Sequence, residues 1–350
     1  MNLNVNTSRL SSALSGLLAA LLILFASSCS IHEWPQDNIP AELSLDINFA
    51  TDLPPYMDVY YGTKTDISPS EEYDFRYTIK FYPQLPDGSY DRNEAADYTL
   101  VLTKDDVTDL NYSTKAYLPE GNWQIRCWAD YVRQGSKEDL YYNTGDFSAI
   151  TLPEEHTANT DFKDAFLGST EVSLHRVGSG LVPVGATLEM ERPLAKFRFI
   201  ATDLVRFVEK VIRNRAADYS SQDRSSFNPD DYYIEFSYTS YMPFMFNMFT
   251  DKPIDSRTGV TFRSEFTPVS SDEVLMGFDY VMVNGVESSV YVQVALYDLN
   301  TGEMLTLIPS IKVPLVRSKV TTVRGDFLNL GTGSEINLHT EFDDEYNLFI

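Results

Sequence analysis

Residues 41–49 read AELSLDINF, and their strict alternation decides the fold class of the chain. One side of this segment carries four large apolar groups, which are Leu43, Leu45, Ile47 and Phe49. The residues between them are polar or acidic. An apolar period of two over eight residues predicts a β-strand with one buried face.

The same alternation recurs along the rest of the chain. It predicts further strands at 75–82, 98–102, 123–130, 232–238, 290–297, 304–313 and 336–342. Gly- and Pro-containing turns separate several of them, as at 86–89, 118–122 and 298–302. One short helix is predicted, with Asp203 as its cap and an apolar face formed by Leu204, Val208, Val211 and Ile212. This pattern indicates an all-β fold of two tandem β-sandwich domains, with one short helix in the second.

The N-terminus has the layout of a bacterial secretion signal. Arg9 precedes an apolar run, Leu17–Phe25, that is too short to span a bilayer of about 30 Å comfortably. Small residues at 26–28 then lead to Cys29, in an arrangement that resembles a lipobox. We therefore expect cleavage before Cys29, which would then carry covalent lipid such as palmitate. An ordinary signal peptide followed by an incidental cysteine is the alternative.

Composition shifts divide the chain into four segments. We expect a lipoprotein signal peptide over 1–28, a lipidated tether over 29–40, an N-terminal β-sandwich over 41–185 and a C-terminal β-sandwich over 186–350. The last boundary is placed near the end of 144–185, which is rich in Gly, Thr, Ser, Asp and Glu.

The charge and the cysteines narrow the functions that fit. A formal net charge of -24 argues against binding to nucleic acid and against peripheral attachment to anionic lipid. The chain has two cysteines, so lipid on Cys29 would leave Cys127 without a disulfide partner. Cys127 is predicted to be a buried small apolar residue, with a reactive thiol as the alternative.

No constellation for catalysis or metal binding emerges from the sequence. The four histidines lie far apart, and zinc, phosphate-loop and nucleophile-elbow motifs are absent. Adjacent carboxylates at Asp230-Asp231 and at 343–345 are weak evidence for a glycosidase pair or a calcium site, because such runs are more often solvated faces. We therefore expect no enzyme, no metal and no cofactor apart from the lipid on Cys29.

Two apolar features allow a binding interpretation. Residues 241–249 are dense in Met and aromatic groups, which favours either core or interdomain packing or a partner surface. The candidate partner surface consists of Tyr241, Phe244, Phe246 and Phe249. Trp128, on the strand face opposite Trp123, is a candidate platform for a sugar ring.

Several motifs, taken in order, resemble the fimbrillin-type lipoproteins of Bacteroidales, particularly their anchor-subunit branch (type V pilus-like). They are the residues after Cys29 (31–35), the turn with Asp87-Gly88, the run 118–123, the strand opening at 190–197 and the C-terminal run 323–328. The resemblance covers nearly the whole chain after Cys29. It implies two transthyretin-like β-sandwiches and a role in pili that are assembled by strand donation.

In stalk subunits of that family, a protease removes the first strand, often after Arg. Here no Arg or Lys occurs between Cys29 and Lys64, so the first strand would stay attached to the lipid. The candidate partner strand is the C-terminal one, with Ile336, Leu338, Thr340 and Phe342 on one face. Pairing of this strand within the second domain is the alternative.

These points predict a structural subunit of a fimbria, an anchor or minor component in cell adhesion. The protein would be held in the outer membrane by its lipid and exposed at the cell surface. Its expected partners are the membrane and pilin-type subunits, and nucleic acid is not among them. The alternative is a stand-alone outer-membrane lipoprotein that binds a glycan or a host protein.

Overall fold

The computed structural model describes residues 41–49, 72–92, 98–177, 180–181, 184–217, 227–330, 339–340 and 346–349. Cys29 and the predicted signal peptide and tether lie outside these residues. The first ten strands are β1 Ala41–Phe49, β2 Tyr73–Pro83, β3 Thr99–Lys104, β4 Tyr112–Leu118, β5 Gly121–Arg133, β6 Ile150–Thr151, β7 Ala165–Leu174, β8 Arg176–Val177, β9 Gly180–Leu181 and β10 Val184–Met190. A short 3₁₀ helix, Asp161–Lys163, precedes β7.

The second half of the chain starts with β11 Leu194–Ala201, which is followed by helix α1 Leu204–Ala217 and a 3₁₀ helix at Pro229–Asp231. The remaining strands are β12 Tyr232–Tyr238, β13 Met242–Asn247, β14 Lys252–Arg257, β15 Thr261–Ser264, β16 Thr267–Pro268, β17 Val274–Met282, β18 Glu287–Asp298, β19 Met304–Val316, β20 Val320–Gly325, β21 His339–Thr340 and β22 Tyr346–Phe349.

Two pairs of sheets form the two sandwiches. In the first, the sheet β10-β1-β4 packs against β3-β2-β5-β7, and Phe49 contacts the rings of Phe75 and Phe166 across the core. In the second, the sheet β16-β17-β11-β20-β22-β21 faces β15-β12-β18-β19, with the Phe199 and Phe236 rings 5.5 Å apart. The predicted all-β fold with one helix in the second half is confirmed for the described residues.

The strand that precedes the second sandwich belongs to the first one. β10 pairs in parallel with β1 from Leu43↔Val184 to Phe49↔Met190. The boundary predicted between residues 185 and 186 therefore falls inside a strand of the first sandwich. The structure also contains β7 inside the polar stretch 144–185, where the sequence pattern predicts no strand.

The polar face of β2 is more buried than its sequence pattern predicts. Its alternation predicted one solvated face, but Arg76, Thr78 and Lys80 on that face are all less than 10 % exposed. The connection after β5, residues 137–148, packs over this face and shields it. A period of two shows that the two faces differ in polarity, but it does not show which faces become covered.

Helix α1 begins where the sequence placed it, although its expected cap acts elsewhere. The backbone carbonyl of Asp203 accepts the N–H of Phe207, 3.0 Å away, as in a first helical turn. Its carboxylate instead accepts the backbone N–H groups of Leu328 and Asn329 at 3.1 and 3.0 Å. Asp203 therefore ties the start of the helix to the segment that follows β20.

Candidate assembly interface

The first described strand lies inside its sheet, with a neighbour on each side. β1 pairs in parallel with β10 and antiparallel with β4, so its backbone groups are bonded along both edges. Leu43, Leu45 and Ile47 have no exposed surface. Removal of β1 would leave β4 and β10 without a common partner and would open an apolar groove between them.

The solvent face of β1 is held in register by polar contacts to β4. Lys115 Nζ lies 2.6 Å from Glu42 Oε1, and Ser113 Oγ donates to Asp46 Oδ1 at 2.6 Å. The hydrogen bond from Lys115 lowers the pKa of the Glu42 carboxyl. These exposed contacts add little to the stability of the pairing between β1 and β4. They favour one register, because a slip by one residue would place the polar side chains of β1 in the core.

At the other end of the chain, β22 adds to the second sandwich. It pairs in parallel with β20, from Thr321↔Tyr346 to Arg324↔Phe349, and antiparallel with β21. Of the predicted partner-strand residues, Thr340 lies in β21, and its backbone pairs with Leu348. Ile336, Leu338 and Phe342 lie outside the described residues. In this structure the chain end therefore follows the alternative of pairing within its own domain.

The predicted partner surface at 241–249 is only partly exposed. Tyr241 is 70 % exposed, but Phe246 has no exposed surface, which corrects its assignment to an external contact. Phe244 and Phe249 are half-buried and lie under arginines, with Arg257 and Arg92 each 4.0 Å from a ring centroid. Most of this segment packs between the two halves of the protein.

The proposed sugar platform is wrong, because Trp128 has no exposed surface. Its ring contacts those of Tyr142 and Phe246 at 5.2 and 6.3 Å. Cys127 is also fully buried, as predicted, and burial raises the pKa of its thiol well above the usual range. A thiol that stays protonated is a poor nucleophile, so the structure favours the packing role for Cys127.

Backbone pairing joins the two sandwiches. β13 from the second half pairs with β6 from the first, through Met245↔Thr151 and Phe246↔Ile150. Arg126 on β5 donates to the Met248 carbonyl at 2.7 Å. Strand 242–247 is thereby built into the junction, which explains why its dense apolar residues are buried.

A buried cluster of charges holds the same junction, and sequence analysis missed it. Asp279 on β17 has no exposed side-chain surface and accepts from Lys163 Nζ at 2.6 Å and from Tyr238 Oη at 2.7 Å. His156 Nε2 lies 2.7 Å from Asp279 Oδ2, the oxygen that also accepts from Tyr238. We call these four residues the junction cluster. Burial acts to raise the pKa of Asp279, but the charge of Lys163 and the contacts from His156 and Lys163 outweigh it and hold this pKa at about 2.

Two more ion pairs, each with a buried base, lie next to the junction cluster. Arg192 Nη2 lies 2.6 Å from Asp164 Oδ2, and Lys196 Nζ lies 2.8 Å from Asp161 Oδ1. Both acids come from 161–164, before β7, and both bases come from the start of the second sandwich. The sequence gives one signal for this arrangement, since a Lys or Arg inside an apolar strand needs a buried acid partner.

The described residues hold no group of three or more His, Cys, Asp or Glu side chains that could hold a metal ion. Within the same residues, no helix is long and apolar enough to cross a membrane.

Two solved structures of fimbrial proteins are distantly similar to this chain. The fimbrial anchor protein Mfa2 from Porphyromonas gingivalis is similar in structure, with 12 % identity and a TM-score of 0.37, over 76 % of this chain and 82 % of that one. A fimbrial assembly protein from Parabacteroides distasonis is similar with 9 % identity and a TM-score of 0.36, over 82 % and 92 % of the two chains. No curated protein matches the sequence. The model of a family of unknown function, DUF6562, matches residues 36–349, and the chain belongs to that family.

Proposed function

We propose that this protein is a surface lipoprotein that serves as an anchor or minor structural subunit of a fimbria assembled by strand donation. One observation carries the proposal, which is that β1 fills the centre of its sheet and no Arg or Lys separates it from Cys29. A subunit that keeps its first strand has no vacant groove in its first sandwich. Such a subunit ends a chain of donated strands rather than extending it in both directions.

The lipid is the second part of the proposal. Several acyl chains on Cys29 would hold the protein firmly in the outer membrane, whereas one chain binds only marginally. Residues 30–40 would then place β1 close to the membrane. An anchor needs this order, because pulling force on the fimbria passes through a complete sandwich to the lipid without requiring a strand to leave its sheet.

The partner would interact with the second sandwich. β22 is a short strand of four residues at the end of the chain, and it pairs with one edge of β20 in parallel. An extended segment that leaves this edge exposes unpaired N–H and C=O groups on β20, and a neighbouring subunit could satisfy them. The C-terminal segment, 336–350, is thus the proposed element of exchange.

The test of assembly is isolation of the native protein from membranes of its source cells, followed by gels with and without boiling. The expected result is a detergent-resistant ladder that collapses on heating and that is lost when 336–350 is deleted. A synthetic peptide of residues 336–350 should bind the deleted variant, which shows that the variant is folded and has a vacant edge. A clean monomer in both lanes, under conditions where fimbriae are visible, contradicts the proposal and favours a stand-alone binding lipoprotein.

The test of anchoring compares Cys29→Ala with Cys127→Ala. The first variant should lose incorporation of labelled palmitate and leave the membrane fraction, whereas the second should keep both properties. If Cys29→Ala still fractionates with membranes and carries label, the lipid lies elsewhere and the anchor role fails.

A further inference from the structure

A polar cleft of about 730 Å³ lies on the first sandwich, away from both proposed assembly strands. Its floor is the outer face of β2 with the neighbouring edge strand β3, and its wall is the connection 137–148. Arg76, Thr78 and Lys80 project into it from alternate positions of β2. The cleft therefore gathers cations and a hydroxyl on one rigid strand of a strongly acidic protein.

The arginine at one end of the floor is already compensated. Arg76 donates to both carboxylate oxygens of Asp130, at 2.9 and 2.8 Å, and Asp139 lies 2.9 Å from its Nη1. A bidentate pair of this kind is rigid and leaves little of the charge available for a ligand. Arg76 therefore forms part of the floor and is not a binding group.

Lys80 lies on the same face of β2 but, unlike Arg76, has no carboxylate partner among the described residues. Lys80 is 7 % exposed, and it donates to the Gly145 carbonyl and lies 4.5 Å from the Phe147 ring centroid. Among the described residues, no carboxylate forms an ion pair with it, and Asp146 and Asp139 act on it only from a greater distance. Burial accordingly lowers the pKa of Lys80. A buried ammonium without a counter-ion is unfavourable and attracts an anion.

A second group in the cleft also lacks a partner. Thr78 is 4 % exposed, and its hydroxyl makes no hydrogen bond within the described part of the chain. Thr78 and Lys80 are two residues apart on one strand, so their side chains point the same way. An oxyanion that reaches Lys80 would therefore lie next to Thr78, whose buried hydroxyl has no partner among the described residues.

The rest of the lining indicates what kind of anion fits. Asp146, Thr99 and Ser148 supply acceptors and hydroxyls, and Arg92 lies above the Phe249 ring at the rim. This mixture of donors and acceptors suits a molecule with several hydroxyl groups, and Lys80, which forms no ion pair among the described residues, suits one carboxylate. The volume is within the range of small-molecule sites.

We propose that this cleft binds an acidic sugar, with its carboxylate on Lys80 and Thr78 and its hydroxyls along the wall 137–148. The site is independent of the proposed assembly role, since neither β1 nor the C-terminal segment lines it. An adhesion protein that carries such a site would recognise uronic-acid units of a glycan as well as its neighbouring subunits.

The test is calorimetric titration of the detergent-extracted full chain with glucuronate, glucose and acetate. Glucuronate should bind, and glucose and acetate should bind at least tenfold more weakly, because each offers only half of the recognised chemistry. Lys80→Met should weaken glucuronate binding at least tenfold, and Thr78→Val severalfold. Lys115→Met, which removes an exposed lysine of the same sandwich, is the matched control and should leave binding unchanged.

Three results would overturn the proposal. They are the absence of glucuronate binding to the unmodified protein, equal binding of glucose, and equal binding of acetate, which would indicate an adventitious anion site. If Lys80→Met does not fold, the milder Thr78→Val and the wall variant Ser148→Ala still test the site. Unchanged affinity in both of these folded variants would place any glucuronate elsewhere.

Discussion

Replacement of Lys163 by Met should weaken the junction between the two sandwiches and lower the free energy of unfolding more than substitution of an exposed residue does. Lys163 is 2 % exposed, and its ammonium lies 2.6 Å from Asp279 Oδ1. Methionine has a similar length but no charge, so the change leaves the buried carboxylate with only His156 and hydroxyl or amide donors. Loss of one partner of a buried ion pair costs about 3–5 kcal/mol. We expect the free energy of unfolding to fall by about that amount.

A double-mutant cycle makes the reasoning specific. Asp279→Asn should also destabilise the protein, because it leaves the Lys163 cation without a counter-ion. The double variant should lose less than the sum of the two, since no uncompensated charge remains at the junction. Urea unfolding measures all four proteins, and Lys115→Met serves as the exposed control that should change little. Additive losses, or a Lys163→Met variant as stable as the control, would refute a charge-based role for the junction cluster.

Further predictions concern acid, packing and thiol chemistry. The folded-state pKa of Asp279 is about 2, below its ordinary value of 3.8. The ionised carboxylate therefore stabilises the folded protein by about 2 kcal/mol above pH 4, and this contribution disappears as the pH falls toward 2. Acid unfolding followed by fluorescence should show that Asp279→Asn lacks this pH-dependent contribution. Gly168→Ala should destabilise the first sandwich by about 1–3 kcal/mol, because a Cβ there would lie 2.6 Å from Met190 Sδ and 2.9 Å from a β10 carbonyl. An unchanged melting temperature would contradict this and would show that β7 and β10 can move apart. Native protein should bind no thiol reagent and unfolded protein one per chain, from Cys127, if lipid blocks Cys29; rapid labelling of folded protein would contradict this.

Local periodicity predicted much of the fold. The alternation at Leu43, Leu45 and Ile47 predicted β1 and its buried face, and that face is fully buried. The hairpin of β18 and β19 and the start of α1 were likewise predicted from turn and cap residues next to periodic segments. These features depend on residues within about ten positions of one another, so the local sequence is enough to predict them.

The sites were less predictable, because they depend on coverage by distant segments. Their position in the sequence favours binding surfaces for Trp128 and Phe246, but each is buried by contact with the other half of the protein. The boundary predicted after residue 185 divides β10, whose parallel partner β1 lies 141 residues earlier in the sequence at Leu43↔Val184. Parallel pairing of strands so far apart leaves no local signal.

The sequence by itself determined the class of the protein: alternating strands, one helix, a Cys29 preceded by a secretion-like segment and no catalytic constellation. Only the tertiary structure decided what the charged residues of the strands do. Lys163, Asp279 and Lys80 look alike in sequence, as polar residues in or beside apolar runs. The first two bury each other's charge at the junction, and the third has no counter-ion in its cleft, because pairing depends on which distant strands the fold brings together.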